Sequence, residues 1–527
     1  MFATIFHRLI ACLLLCAAVQ AHALTAEAAR AMAAGDTDER IAALQAAIAT
    51  PDEATVAFIR AMADDAVKIA GDRVFVIQND KGVDPVSGSE VPVSEDAEDI
   101  VNNNRMRGEF DTALASLQLM SADIAQRRSA IDALREETDE ARLPLVEKAL
   151  AAEQDVALKA RLTSIRARIQ LSSSDAAKRL EAAQHLAASG NPATRTVLLE
   201  QLRNEQDPKV KAALQAALKT VEDSLKWGER LAAMFTGISL GSILLLVALG
   251  LAITYGLMGV INMAHGELMM VGAYATYVMQ GIFQKYFPGV FDWYLVAAVP
   301  AAFMASALMG AVLERSVIRF LYGRPLETLL ATWGISLMLQ QLVRTVFGAQ
   351  NVGVENPSWM SGGVHLMENL QLPWNRVIIV AFALGVLGGV AFLISKTRLG
   401  LFVRGVTQNR PIASCMGVNT ARVDTYAFAL GSGIAGLAGC ALSQVGNVGP
   451  DLGQGYIVDS FMVVVLGGVG QLAGTVYAAL GLGVLNKFLE GWAGAVLAKI
   501  AVLVFIIIFI QKRPQGIFAM KGRSAEA

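Results

Sequence analysis

The chain is organised around residues 253–274, which read ITYGLMGVINMAHGELMMVGAY. This apolar, glycine-rich stretch places Asn262, His265 and Glu267 within six residues of one another. Carboxylate and imidazole groups are costly in hydrocarbon, so inside a membrane they usually face a bundle interior, a water-filled cavity or a partner. Irregular backbone at membrane depth occurs only where protein or a cavity covers it. The pattern predicts part of a transport path, and the alternative is a short loop between two spans at the membrane surface.

The composition indicates two regions of different physical class. The chain has 527 residues, of which 54% are apolar and 17% are charged, and its mean hydropathy is +0.47. Residues 24–230 hold 26 of the 44 basic and 35 of the 46 acidic side chains, whereas residues 231–527 hold 17 and 11. We therefore expect a soluble acidic region followed by a membrane region. The net charge of −2 gives no reason to expect binding to nucleic acid.

The sequence offers no pattern for catalysis, for a cofactor or for a metal. Its four cysteines lack the spacing of a metal site or a disulfide framework. It contains no phosphate-binding G-x-x-x-x-G-K-[ST] loop, so any energy from ATP must come from another subunit. We expect a protein that is not an enzyme and needs no cofactor.

Residues 1–23 have the pattern of a secretory signal peptide. His7 and Arg8 precede an apolar run over residues 9–19, and Ala21-His22-Ala23 forms a small-residue cleavage site. The run is too short for a comfortable membrane span. We predict cleavage after Ala23, which would place the chain from Leu24 onward outside the cytoplasm.

Residues 24–230 are predicted to form a mostly helical domain. Apolar residues recur at helical spacing over residues 26–70 and 107–229, with a small hairpin or extended flap between them. The segment EQDVALKARL at 153–162 is echoed by EQDPKVKAAL at 205–214, an offset of 52. Such an echo resembles stacked helix pairs of the HEAT type, which present surfaces for a partner. The alternative is that the repeats only build the core of the domain.

Nine apolar segments predict a polytopic helical bundle over residues 231–511. They cover residues 231–254, 261–279, 293–313, 329–347, 377–394, 425–444, 457–466, 475–489 and 493–510. The expected fold class is all-α, with about eight or nine spans and a helical-repeat-like soluble domain before them. The pair over residues 457–489 is short, which predicts broken or re-entrant helices.

Basic residues predict the orientation of the bundle. Lysines and arginines cluster at 315–324, at 396–422 and in the tail 512–527, which we expect to be cytoplasmic. Counting the predicted spans back from the first cluster places residue 230 on the outer side of the membrane, in agreement with the predicted signal peptide. The expected location is the bacterial inner (plasma) membrane, with a periplasmic N-terminal domain.

The basic segment at residues 395–424 is predicted to contact an ATPase. It includes RGVTQNRPIASCMG at 404–417, in which we single out Arg404, Gln408, Asn409, Arg410 and Gly417. An import permease needs a rigid cytoplasmic helix that fits its ATPase and transmits closure. The alternative is an ordinary positively charged cytoplasmic loop.

Two further stretches add features to the bundle. The glycine-dense LGGVGQLAG at residues 466–474 allows tight helix crossings or a broken helix. Trp333, Gln340, Gln341 and Arg344 add aromatic and polar groups to the fourth span. We include Trp333 in the candidate path and expect Arg344, near the outer end, to snorkel to the membrane surface.

These stretches together resemble the permease family of branched-chain amino-acid-type ABC importers. Residues 255–267 are similar to its first-span signature, and residues 404–417 to its ATPase-contact loop. Residues 467–474 are similar to its late glycine motif, and RPQGIF at 513–518 to its usual ending. Within the family, the long N-terminal domain and RPLETLLATWGIS at 324–336 resemble the urea-transport permease more than the leucine-type one.

The resemblance implies a heteromeric importer, with a second permease subunit, two ATP-binding cassette ATPases and a periplasmic substrate-binding protein. We predict the permease subunit for urea, with a substrate path lined by Asn262, His265, Glu267 and Trp333. Urea is small, planar and neutral, and a dry path must satisfy its donors and acceptors. The alternatives are a permease for branched-chain amino acids or short amides and, in a different class, a passive solute channel.

Overall fold

The computed structural model describes residues 24–518 apart from 50, 51, 79, 80, 94, 95, 136, 137, 139, 260, 368 and 514. The predicted signal peptide and the tail beyond residue 518 lie outside the described residues. The described chain divides between Leu225 and Lys226 into two compact units.

The N-terminal unit consists of helices and one small sheet. Its helices are α1 Ala26–Ala33, α2 Thr37–Ala49, α3 Glu53–Ala63, α4 Asn104–Gln118, α5 Ile124–Ala133, α6 Leu143–Ala152, α7 Val156–Gln170, α8 Ala176–Leu186 and α9 Pro192–Asn204, followed by the start of α10 Pro208–Met258. Its strands are β1 Val67–Ala70, β2 Arg73–Gln78, β3 Lys81–Val83, β4 Glu90–Val91 and β5 Glu98–Asp99. They form an antiparallel sheet in the order β4-β3-β2-β1-β5.

The sheet is larger than the predicted flap and takes in residues that we expected to be helical. Val67–Ala70 pairs with β2, with Val67 opposite Val76. Gly71, at a φ of +59°, turns the chain between the two strands. Val67 and Val76 are buried in the same hydrophobic cluster as the surrounding helices. Burial of this apolar face outweighs the helical propensity of the segment.

The sequence echo at an offset of 52 is a structural repeat. In the first copy, Arg127 binds Glu153 at 2.9 and 3.2 Å and also donates to the Ser121 carbonyl. In the second copy, Arg179 binds Glu205 at 2.8 and 2.9 Å and donates to the Ser173 carbonyl. Helices α5 and α8 begin 52 residues apart, as do α7 and α10, and the middle helices α6 and α9 begin 49 residues apart. Each ion pair thus holds together one copy of the same three-helix arrangement.

The carboxylates of these pairs are buried, and their hydrogen bonds change their acidity. The side chain of Glu205 is 3% exposed, and its hydrogen bonds from Arg179 lower its pKa from its usual range to about 2. The hydrogen bonds from Arg127 likewise lower the pKa of Glu153. Both carboxylates also accept backbone N–H groups at the start of the following helix.

The second unit is a helical bundle. It contains most of α10 together with α11 His265–Tyr286, α12 Tyr294–Ser316, α13 Pro325–Phe347, α14 Trp374–Lys396, α15 Arg398–Gln408, α16 Arg410–Cys415, α17 Thr420–Ser443, α18 Leu452–Gly467, α19 Leu472–Ala493 and α20 Ala495–Lys512. A hairpin of β6 Gly363–Met367 and β7 Leu370–Pro373 precedes α14. Among the described residues, α10, α12, α14, α17, α19 and α20 are long and apolar enough to cross a membrane.

Each of the nine predicted apolar segments corresponds to a helix, but several boundaries differ from the prediction. The first segment, predicted as 231–254, lies within α10, which begins at Pro208. Residues 261–264 do not belong to α11, which begins at His265. The segment predicted as 475–489 is longer than expected, because α19 extends over 22 residues and is one of the six helices of spanning length. Its predecessor α18 has 16 residues and remains short.

Helices α10 and α17 form the buried centre of the bundle. In each of these two helices 83% of the most apolar 18-residue stretch is buried, whereas the corresponding share in α14 and α20 is 17%. Close contacts between glycines bring α17 against its neighbours. A Cβ added at Gly272 of α11 would overlap the backbone of Gly436 of α17, and one at Gly431 would overlap that of Gly250 of α10. These crossings rigidly position the start of α11.

The repeated ion pairs predict how the N-terminal unit responds to acid. Because the folded pKa of Glu205 lies below the unfolded value near 4.3, its stabilisation is present above that pH. It is lost as the pH falls from about 4.3 towards 2. Glu205→Gln should therefore lower the free energy of local opening of residues 173–221 at neutral pH by about 1–3 kcal/mol.

Hydrogen exchange of the full-length protein, corrected for intrinsic rates, measures this local opening. The first copy of the repeat serves as the internal control, because Glu205→Gln leaves the Arg127–Glu153 pair intact. Equal loss of protection in both copies would contradict a local role for the Arg179–Glu205 pair.

Candidate functional site

The helical structure is interrupted between α10 and α11, inside the bundle, and we call this interruption the break between the two helices. Gly259 directly follows α10 at a φ of +65°, and α11 starts at His265 without a side-chain cap. The Nε2–H of His265 donates to the Val247 carbonyl at 3.2 Å. Val247 lies three turns before the end of α10, about 16 Å along the helix axis. The start of α11 therefore lies alongside α10 rather than beyond its end.

Glu267, in the first turn of α11, is the centre of a buried polar cluster. It is 1% exposed. Its Oε1 accepts hydrogen bonds from Ser336 Oγ at 2.9 Å and from Gln340 Nε2 at 2.8 Å. One turn earlier on α13, Thr332 Oγ1 accepts the backbone N–H of Met263 at 3.2 Å. Helix α13 thus holds both the broken segment and the first turn of α11.

These α13 residues belong to a polar stripe that follows one face of the helix. Thr328, Thr332, Ser336, Gln340 and Arg344 are spaced four residues apart, which places them in line. The first four are buried. Arg344, which we expected to snorkel, forms an ion pair with Asp451 before α18. The stripe therefore runs from one end of α13 to near the other.

Three buried polar atoms of the cluster have no hydrogen-bond partner among the residues that the structure describes. They are Asn262 Nδ2, His265 Nδ1 and Glu267 Oε2. The Oδ1 of Asn262 accepts the Ala264 N–H, so the amide NH₂ is the free group. Since His265 donates through Nε2, its Nδ1 is an acceptor. The cluster offers one amide donor and two acceptors, and buried groups left unpaired in this way are unusual.

Trp333 is not part of this cluster. Its side chain is 52% exposed, one residue beyond Thr332 and away from the polar stripe. The structure therefore brings together Asn262, His265 and Glu267 but leaves out the fourth predicted path residue. Sequence reasoning missed Ser336 as a partner and did not select Gln340. The four-residue spacing of polar side chains along α13 is the signal that would have found both.

The predicted ATPase-contact segment folds into α15 and α16. Arg404 and Gln408 are exposed on α15, and Gly417, at a φ of +82°, ends the turn after α16. Asn409 accepts the Ile412 N–H and caps α16. Arg410 forms an ion pair with Asp424, a carboxylate that is 1% exposed at the start of α17. Arg404 Nε also donates to the Gly400 carbonyl at 3.4 Å, so three of the five predicted contact residues have a polar group bonded within the chain.

Exposed apolar side chains lie beside these polar residues. The large ones are Leu401 (60% exposed), Phe402 (41%), Ile412 (60%) and Met416 (78%). Apolar groups surrounded by polar residues are typical of a surface that binds another protein.

The family profile and the related proteins that match this chain indicate the same family. Residues 233–511 match the profile of the branched-chain amino acid transport system permease component. The chain is 30% identical over 292 residues to the high-affinity branched-chain amino acid transport system permease protein LivH of Salmonella typhimurium, covering 54% of this chain and 94% of the relative. It is 26% identical to BraD, a permease protein of the same kind of system in Pseudomonas aeruginosa, with the same coverage.

A more distant relative is a permease of a sugar transport system. The ribose import permease protein RbsC of Escherichia coli is 28% identical over 207 residues, covering 37% of this chain and 61% of the relative. No solved structure matches the chain significantly. The family match begins at residue 233, so the N-terminal unit lies outside it.

The polar cluster predicts unequal effects of two neighbouring glutamines. Gln340→Leu removes one of the two donors to the buried Glu267 carboxylate, which should lower the free energy of unfolding by about 1–3 kcal/mol. Gln341→Leu changes an exposed side chain on the same helix and should stay within about 0.5 kcal/mol of the wild type. Thermal unfolding of the purified variants in detergent measures the difference, and equal melting temperatures would contradict it.

Proposed function

Because the chain belongs to the family of permease components of branched-chain amino acid transport systems, we propose that its α10–α11 break lines the substrate path of an ATP-driven importer. The observation that carries this proposal is the set of unpartnered polar atoms of Asn262, His265 and Glu267, which are buried inside the bundle. A broken helix with polar groups at mid-membrane is a common way to build a transport site.

The relatives are transport subunits rather than enzymes, and proteins of this family act with ATPase subunits and a substrate-binding protein. We propose that a second permease subunit completes the path. The N-terminal unit is proposed to be periplasmic, since the predicted signal peptide and the positions of the basic clusters both favour that side. A role in contacting a partner on that side is consistent with its repeated helices.

Two substrates have support from different observations. The names of the relatives favour a branched-chain amino acid. On that proposal Glu267 would receive the ammonium group, and Arg344, one turn beyond Gln340, would receive the carboxylate in exchange for its ion pair with Asp451.

Urea is favoured by the resemblance of residues 324–336 and by the N-terminal unit that the family match does not include. None of the hydrogen bonds that the structure gives Asn262, His265 and Glu267 involves a lysine or arginine. A neutral molecule with amino donors and a carbonyl acceptor matches the free acceptors and the free amide donor of this cluster.

The uptake of labelled urea and labelled leucine tests both the path and the substrate. In cells with the gene deleted and then restored, Asn262→Ala and Glu267→Ala should lower uptake about tenfold, the effect of losing about 1.4 kcal/mol. Gln341→Ala, on the exposed face of α13, is the matched control and should leave uptake unchanged.

If deletion of the gene abolishes the uptake of only one of the two compounds and restoration recovers it, that compound is the substrate. Unchanged uptake of both in the Asn262 and Glu267 variants, at normal expression, would contradict the proposed path. Uptake that continues after ATP depletion would contradict an ATP-driven importer.

The exposed surface of α15 and α16 leads to a separate prediction about coupling. Arg404→Glu reverses an exposed charge on the proposed ATPase-contact surface and should reduce both uptake and substrate-stimulated ATP hydrolysis in the assembled complex. Arg315→Glu is the matched control, because Arg315 is an exposed arginine in the other basic cluster. Equal effects of the two charge reversals would contradict a specific contact at Arg404.

A further inference from the structure

Two buried carboxylates lie at the end of the bundle that carries α16. Glu314 of α12 is 0% exposed and Asp424 of α17 is 1% exposed. Buried carboxylates are tolerated only when they are paired or hydrogen-bonded. Glu314 Oε2 accepts from Thr425 Oγ1 at 2.6 Å, and its Oε1 accepts from the Tyr322 hydroxyl at 3.0 Å. Asp424 is paired with Arg410. Arg319, in the 3₁₀ helix Ile318–Leu321, also forms an ion pair with Glu314 Oε2 at 3.6 Å. Three of these four partners, Tyr322, Arg319 and Arg410, come from outside α12 and α17.

Tyr322 connects the two carboxylate sites. It lies between the short 3₁₀ helix Ile318–Leu321 and α13. The Arg410 guanidinium lies over its ring, 5.5 Å from the centroid. Burial raises the pKa of the Tyr322 phenol above its usual range, so the hydroxyl remains a donor. One aromatic side chain thus contacts the arginine that anchors α16 and the carboxylate that ends α12.

The same hydroxyl reaches the end of α10. It lies 3.0 Å from the Sδ of Met258, which is the last residue of α10. Gly259 follows at a φ of +65°, and the chain then enters the Asn262–Glu267 cluster. Two side-chain contacts, Arg410 to Tyr322 and Tyr322 to Met258, therefore join α16 to the broken segment.

We propose that Tyr322 is a positioning residue that transmits displacement of α16 to the break between α10 and α11. This inference rests on the proposed function, in which the surface of α15 and α16 receives an ATPase. A push on α16 moves Arg410, whose charge-assisted bond and ring contact engage Asp424 and Tyr322 together. Close-packed side chains transmit such a displacement instead of absorbing it. The Tyr322 hydroxyl then carries the displacement to Met258, and the glycine hinge allows the broken segment to follow.

The test uses the complete importer, reconstituted with its ATPase subunits and binding protein. Tyr322→Phe keeps the ring beneath Arg410 and removes the hydroxyl contacts to Glu314 and Met258. We expect unchanged assembly and basal ATP hydrolysis, while the substrate imported per ATP falls by about fivefold, the lower end of usual coupling effects. Tyr426→Phe is the matched control, because Tyr426 is exposed on α17, and it should leave the ratio unchanged.

Met258→Leu tests the second contact without disturbing Glu314. It keeps an apolar side chain of similar volume and removes the sulfur, so we expect a smaller fall in the same ratio. This variant carries the test if Tyr322→Phe does not assemble. A wild-type ratio in Met258→Leu and in any assembled Tyr322→Phe would overturn the inference, as would a fall in assembly or basal hydrolysis with the ratio unchanged. A wild-type complex that imports neither urea nor leucine would instead count against the proposed function.

Discussion

A carboxylate buried among apolar helices must find hydrogen-bond donors, and Glu267 shows how far this requirement shapes the bundle. Its Oε1 atom is satisfied only because Ser336 and Gln340 lie one turn apart on the facing side of α13. That contact requires the first turn of α11 to lie well inside the bundle. Since α10 continues to Met258, the chain must then turn back alongside α10 before α11 starts. The break between the two helices is the geometric consequence.

Small residues make this arrangement possible. Gly272 and Gly436 allow the backbones of α11 and α17 to touch, and Gly266 and Gly453 do the same for α11 and α18. Contacts this close leave α11 little freedom to shift along its axis. The acceptor that Glu267 leaves unpaired is therefore held in a fixed position, which a binding group requires. The glycines and the carboxylate act together, because neither the close crossings nor the hydrogen bonds alone determine where α11 begins.

The sequence predicted the elements well and their mutual contacts poorly. Apolar runs identified nine of the eleven helices that the structure describes in the bundle, because a span must be long and apolar whatever it packs against. The echo at 153–162 and 205–214 identified the repeat, since both copies keep the same glutamate. By contrast, the sequence grouped Trp333 with Asn262, His265 and Glu267, whereas its side chain is 52% exposed and lies one position off the polar stripe. Partner choice depends on which helix faces which, and neither composition nor spacing within one segment specifies that.

Arg410 illustrates the same limit with a different consequence. Its place in a basic segment predicted a residue that contacts another subunit, and the sequence did not indicate that its guanidinium also binds the buried Asp424 and lies over Tyr322. An unpaired Asp424 would cost several kcal/mol at its buried position. Helix α16 is therefore attached to the bundle by the same residue that gives its segment its charge. The exposed Arg404 and the apolar side chains of Ile412 and Met416 remain free to meet a partner. A surface attached in this way cannot be displaced without moving the helices beneath it, which is what a coupling element requires.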